Sequence, residues 1–117
     1  MIQPVSAMQP HFQESRRSTR VPLDVSIGVD GEVGTVKGVT VVVNLHGALI
    51  RTVKPLQPGS HIQLTVYLTG KSATARVVYV APDNPLSAGI ELDKPQNIWG
   101  VSLVPEDWEE GHEVERR

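Results

Sequence analysis

The chain has 117 residues, 39% of them hydrophobic and 21% charged, with a formal net charge of -2. That size and balance describe one soluble domain with a single core, and weigh against binding a polyanion through bulk charge. The absence of Cys excludes disulfides, thiolate metal sites and cysteine nucleophiles, and the scarcity of aromatics (two Trp, two Tyr, one Phe) leaves the core to Val, Leu, Ile and Ala.

Residues 1–13 carry Pro, Gln and His without periodicity and read as a flexible N-terminal arm. The first twenty residues lack the apolar stretch of a signal peptide, and no segment is long enough for a membrane span, so a cytoplasmic protein is expected. From Val21 onward the pattern is that of strands. Val21 to Val29 is the first, closed by the turn signals Asp30, Gly31 and Gly34. Thr35 to Val43 is rich in β-branched residues, and the chain resumes as a strand from Gly47 to Val53. Pro55, Pro58 and Gly59 mark a loop. Ile62, Leu64, Val66 and Leu68 then alternate with Gln63, Thr65 and Tyr67, the cleanest two-residue period in the chain. Gly70-Lys71 turns this segment into Ser72 to Val80 as a hairpin. Pro82 to Pro85 reads as a loop, Ala88 to Leu92 as a short strand, and Ile98 to Val104 as a last one. Glu106-Asp107-Trp108-Glu109-Glu110 suits the start of a short C-terminal helix, with Trp108 packed on the sheets, and residues 109–117 as a tail. Strands at roughly ten-residue intervals without an amphipathic helix indicate an antiparallel barrel or sandwich spanning residues 14–108.

The residues with the strongest chemical implication are Arg16, Arg17 and Arg20, which crowd the entrance to the first strand. Arg16 and Arg20 are four apart and share a side in either helical or extended backbone. Two planar, permanently charged forks suit a compact anion or a guanine edge, while the plain alternative is a solubilising basic tail.

The arrangement Arg16-Arg17-Ser18-Thr19-Arg20 resembles the R-x-x-x-R motif that precedes the first strand of PilZ domains, small β-barrels that bind cyclic di-GMP. Val42-Val43-Asn44-Leu45-His46-Gly47 is similar to that family's second motif, [D/N]-x-S-x-x-G. Registered on Gly47, Val42 stands where the family has Asp or Asn, and Asn44 where it has Ser. Registered on Asn44, His46 takes the Ser position but Leu49 replaces the Gly; the Gly47 register is preferred because Gly, a small residue and two aliphatics resume the strand. Gly89-Ile90-Glu91-Leu92 resembles the late glycine-containing strand of the family.

The resemblance implies an all-β fold, a six- to seven-stranded antiparallel split barrel with a short C-terminal helix. It also implies a cyclic di-GMP receptor that regulates an effector protein, rather than an enzyme. Arg16 and Arg20 would hold phosphate or guanine, with Arg17 adding charge or a stacking plane. Asn44 would stand in for the motif's polar side chains, His46 would lie at the ligand, and Gly47 would be there for a positive φ or a close ligand approach. An adaptor that has lost nucleotide binding is the alternative, supported by Val42. A nucleic-acid-binding barrel is disfavoured by the net charge and the few aromatics. No nucleophile–base pair, metal-ligand spacing among the four His residues, or cofactor motif is evident, so neither metal nor cofactor is expected beyond the dinucleotide itself.

Overall fold

Seven strands account for most of the chain: β1 (Val21–Pro22), β2 (Ser26–Gly31), β3 (Gly34–Val43), β4 (Gly47–Thr52), β5 (His61–Val66), β6 (Lys71–Ala81) and β7 (Asn84–Leu92). They come from a computed structural model that describes residues 18–32 and 34–108. All pairings are antiparallel, in the order β1-β3-β2-β5-β6-β7-β4, and β4 pairs back onto β3. Six strands thus close into a barrel, and β1 is an extra strand on the end of β3. Closure leaves none of the six with a free edge along its whole length, which removes the usual template for strand-to-strand aggregation.

The two-residue period decides what fills the barrel. Ile62, Leu64 and Val66 of β5, Ala75 and Val77 of β6, and Ala88, Ile90 and Leu92 of β7 are buried, while their sequence neighbours turn outward. In β3 the inward positions change parity, from Val36 and Thr40 to Val43. The cause is a β-bulge: Thr40 pairs with Ile50 and Val42 with Leu49, leaving Val41 as an extra residue.

The single strand expected over Val21–Val29 is also broken, into β1 and β2, because it takes four steps from Pro22 to Ser26 while β3 takes three from Val42 to Val39. Between them the chain still follows β3, with Leu23 N–H donating to Val41 O at 3.1 Å and Thr40 N–H to Val25 O at 3.0 Å. The buried Thr40 hydroxyl stitches the gap by accepting from Val25 N–H at 3.0 Å and donating to Leu23 O. Thr40→Val leaves both backbone groups short of a partner. The expected cost is about 1–3 kcal/mol, read as a lowered midpoint in urea unfolding.

Three further expectations are corrected. Leu68 does not continue the inward face of β5: the strand ends at Val66, residues 67–70 form the turn with Gly70 at φ +72°, and Leu68 is 71% exposed. The loop expected over Pro82–Pro85 shrinks to Pro82-Asp83, because β7 already starts at Asn84, which faces Ala81. The last strand expected over Ile98–Val104 is not a strand. Asn97 folds this segment into a turn, its side chain donating to Val101 O at 2.9 Å and accepting from Trp99 N–H at 3.2 Å, and Gly100 takes φ +90°. The segment still serves the core, since Ile98 and Trp99 are completely buried. A helical turn starts at 106–108 and buries Trp108; the tail expected over 109–117 lies outside the described residues.

Candidate functional site

An open cleft of about 850 Å³ lies against the outer faces of four adjacent strands, β3, β4, β7 and β6. Its volume falls in the range of small-molecule sites, roughly 300–1,000 Å³. Ser18, Thr19 and Arg20 of the segment before β1 line one side. Asn44, His46 and Gly47, from the turn between β3 and β4, line it as well. Two stretches far apart in sequence therefore meet at one concavity. Arg16 and Arg17 lie outside the described residues.

The turn is held from every direction. Asn44 Oδ1 accepts from the backbone N–H groups of His46 and Gly47 at 2.8 and 2.9 Å, and Asn44 N–H donates to Gly47 O at 2.9 Å. This is an Asn side chain closing its own turn, a role for which its short amide is well suited. Below it, the Trp99 indole donates to Asn44 O at 2.9 Å, Gln96 N–H to Leu45 O at 2.9 Å, and Leu92 N–H to His46 O at 2.8 Å. The oxygen that sequence reasoning offered to a ligand is thus already occupied with the turn.

The arm base is fastened to that turn and to the C-terminal helical turn. Leu45 N–H donates to Ser18 Oγ at 2.9 Å, and Asn44 Nδ2 to Ser18 O at 3.5 Å. On the other side the Trp108 indole donates to Thr19 O at 2.8 Å, and the Thr19 hydroxyl to Asp107 Oδ2 at 2.8 Å. With Ser18 and Thr19 both tied down, the backbone that carries Arg20 is preorganised, while the Arg20 side chain is exposed to solvent.

Gly47 has a backbone reason other than the positive φ expected for it. Its φ is not positive, and what approaches closely is β7. A Cβ there would overlap the Ile90 carbonyl oxygen and sit 3.0 Å from the Ile90 carbonyl carbon and 3.1 Å from Glu91 Cα. Only glycine lets β4 pass β7 at this point.

The PilZ domain family model matches residues 14–98 of this sequence. The chain belongs to the PilZ domain family. PilZ domains form a family of cyclic di-GMP-binding adaptors rather than of enzymes. A comparison with curated proteins found no match for the chain.

The PilZ barrel of this protein adds Leu49, Tyr79 and Gly89 to Val42 as cleft residues. Val42, Leu49, Gly89 and Tyr79 face outward as one cross-strand row, since Val42 pairs with Leu49, Leu49 with Gly89, and Gly89 with Tyr79. A second row runs Gly47, Glu91, Arg76, His61. Glu91 flanks the cleft and pairs with Arg76 at 3.7 Å. Two-residue alternation alone would have placed Tyr79 inside with Val77. A bulge at Val78, visible only in the pairing of Val77 with Ile90 and Tyr79 with Gly89, turns it outward. Among the described residues no group of His, Asp or Glu could hold a metal ion, and no helix is long and apolar enough to cross a membrane.

Proposed function

We propose that this PilZ barrel is a cyclic di-GMP receptor whose arginine arm closes over a dinucleotide seated in the cleft, changing the surface shown to an effector protein. The observation that carries this reading is the meeting of Arg20 and the Asn44–Gly47 turn at one concavity of suitable size. Arginine forks pair bidentately with phosphate oxygens and with the O6/N7 edge of guanine, the two chemistries that a cyclic guanine dinucleotide presents. Arg16 and Arg17, a few residues upstream in the sequence, would bring further forks to the same ligand. His46 lines the cleft wall, and Asn44 serves by holding the turn and orienting its neighbours. As a cytoplasmic adaptor the protein would act through an effector rather than through chemistry of its own.

Calorimetric titration with cyclic di-GMP tests the proposal. Arg20→Ala is expected to weaken binding by about 1.5–3 kcal/mol, the worth of one charge-assisted contact. Unchanged affinity in Arg20→Ala and in Arg16→Ala would remove the arginines from the site. A second reading, an adaptor that no longer binds nucleotide, is favoured by Val42, whose aliphatic side chain lies on the cleft floor. Wild-type protein that shows neither heat nor a thermal shift at high dinucleotide concentration would establish it.

A further inference from the structure

Two β-bulges frame the cleft, one on each outer strand. β4 and β7 form its floor, where Leu49 and Gly89 are paired. β3 on one flank carries the bulge at Val41, and β6 on the other carries the bulge at Val78. Bulges re-aim side chains, and here the second one places two consecutive residues, Val78 and Tyr79, on the cleft wall. Both stay substantially open to solvent, at 44% and 49% exposure. The Tyr79 ring lies over Gly89: a Cβ at Gly89 would be 3.4 Å from both Tyr79 Cβ and Cδ2. The glycine thus gives the ring a flat bed, and the row Val42–Leu49–Gly89 extends that bed as an apolar floor.

From this geometry we infer that Tyr79, backed by Gly89 and continued by Leu49 and Val42, is a stacking platform that takes a purine base by its face. The inference rests on the receptor reading above and adds how the base is held. An aromatic side chain with an open face beside an apolar floor gains from any flat π-system, because every base has such a face. Polar groups around it are already engaged: Asn44 Oδ1 closes its own turn, and Glu91 faces Arg76 across the strands. Val42 can offer a base no hydrogen bond. The face contact at this platform therefore depends little on which purine is present, and the choice between purines falls to the arginine forks, which can pair with a guanine O6/N7 edge.

The test is calorimetric titration of the full chain with cyclic di-GMP and with cyclic di-AMP, for wild type, Tyr79→Ala, Tyr79→Phe and Arg20→Ala. Tyr79→Ala is expected to weaken both ligands by a similar factor, roughly 5- to 150-fold, while Tyr79→Phe, which keeps the ring, stays near wild type. The ratio of the two wild-type affinities is expected to be kept in Tyr79→Ala, since edge readout and not the ring face is what discriminates bases. Thermal melting of each variant shows that it is folded; Tyr79 is half exposed and its truncation leaves the core intact. If Tyr79→Ala binds as well as wild type while Arg20→Ala is weakened, the platform is overturned and the receptor reading stands. A Tyr79→Ala variant that changed the wild-type ratio of the two affinities would overturn face-only contact at this platform. Wild type that binds neither dinucleotide would overturn both readings.

Discussion

Gly47→Ala lowers the stability of the ligand-free barrel by about 3 kcal/mol or more. The new methyl group meets backbone, the Ile90 carbonyl and Glu91 Cα, instead of the end of a side chain that could swing aside. To admit it, β4 and β7 must separate at the Gly47–Glu91 pair, the first rung of their ladder. That rung also fixes the Asn44 turn, in which Gly47 N–H donates to Asn44 Oδ1 and Gly47 C=O accepts from Asn44 N–H. Urea unfolding without ligand is the decisive measurement, because it separates strand packing from ligand approach. If Gly47→Ala unfolds at the wild-type midpoint yet loses dinucleotide binding, the glycine is there for the ligand and the packing account fails.

Trp99→Ala is expected to cost about 3–5 kcal/mol, among the largest losses any single truncation of the core would bring. Trp99 is completely buried, and its indole N–H holds Asn44 O at 2.9 Å, directly beneath the cleft turn. Truncation opens a cavity and also leaves a carbonyl without its donor. For a domain of this size the melting temperature should fall by on the order of 15–25 °C. Trp99→Phe separates the two contributions, since it keeps most of the volume and removes only the hydrogen bond; about 1–3 kcal/mol is expected for it. A Phe variant as damaging as the Ala variant would mean that the indole N–H, and not the volume, carries the effect.

The barrel could be read from the chain wherever one strand kept one period. Ile62, Leu64 and Val66 announced β5, and Gly70 announced the turn after it, because alternation and a positive-φ glycine are local signals. The chain was opaque wherever a bulge changed parity. The expected first strand gains one residue on β3 between Pro22 and Ser26, and Val78 turns Tyr79 outward; neither event has a residue type that betrays it, the second sitting in a run of Val. The segment Ile98–Val104 was misread because its apolar residues pack against the core from a turn held by Asn97, not from a ladder.

At the site, Arg20, Asn44, His46 and Gly47 could be picked out through their resemblance to the two PilZ motifs, which the fold brings to one cleft. What could not be picked out was how each is used. Asn44 spends its oxygen on its own turn, and Gly47 answers to β7, facts that depend on partners distant in sequence. Leu49, Tyr79 and Gly89 were invisible for the same reason: they form a row only after four strands are laid side by side.

The stitching of Thr19 to Asp107 and Trp108 brings the start and finish of the described polypeptide to one spot. A module whose incoming and outgoing threads leave together can be spliced into a surface loop of a host without prying that host apart.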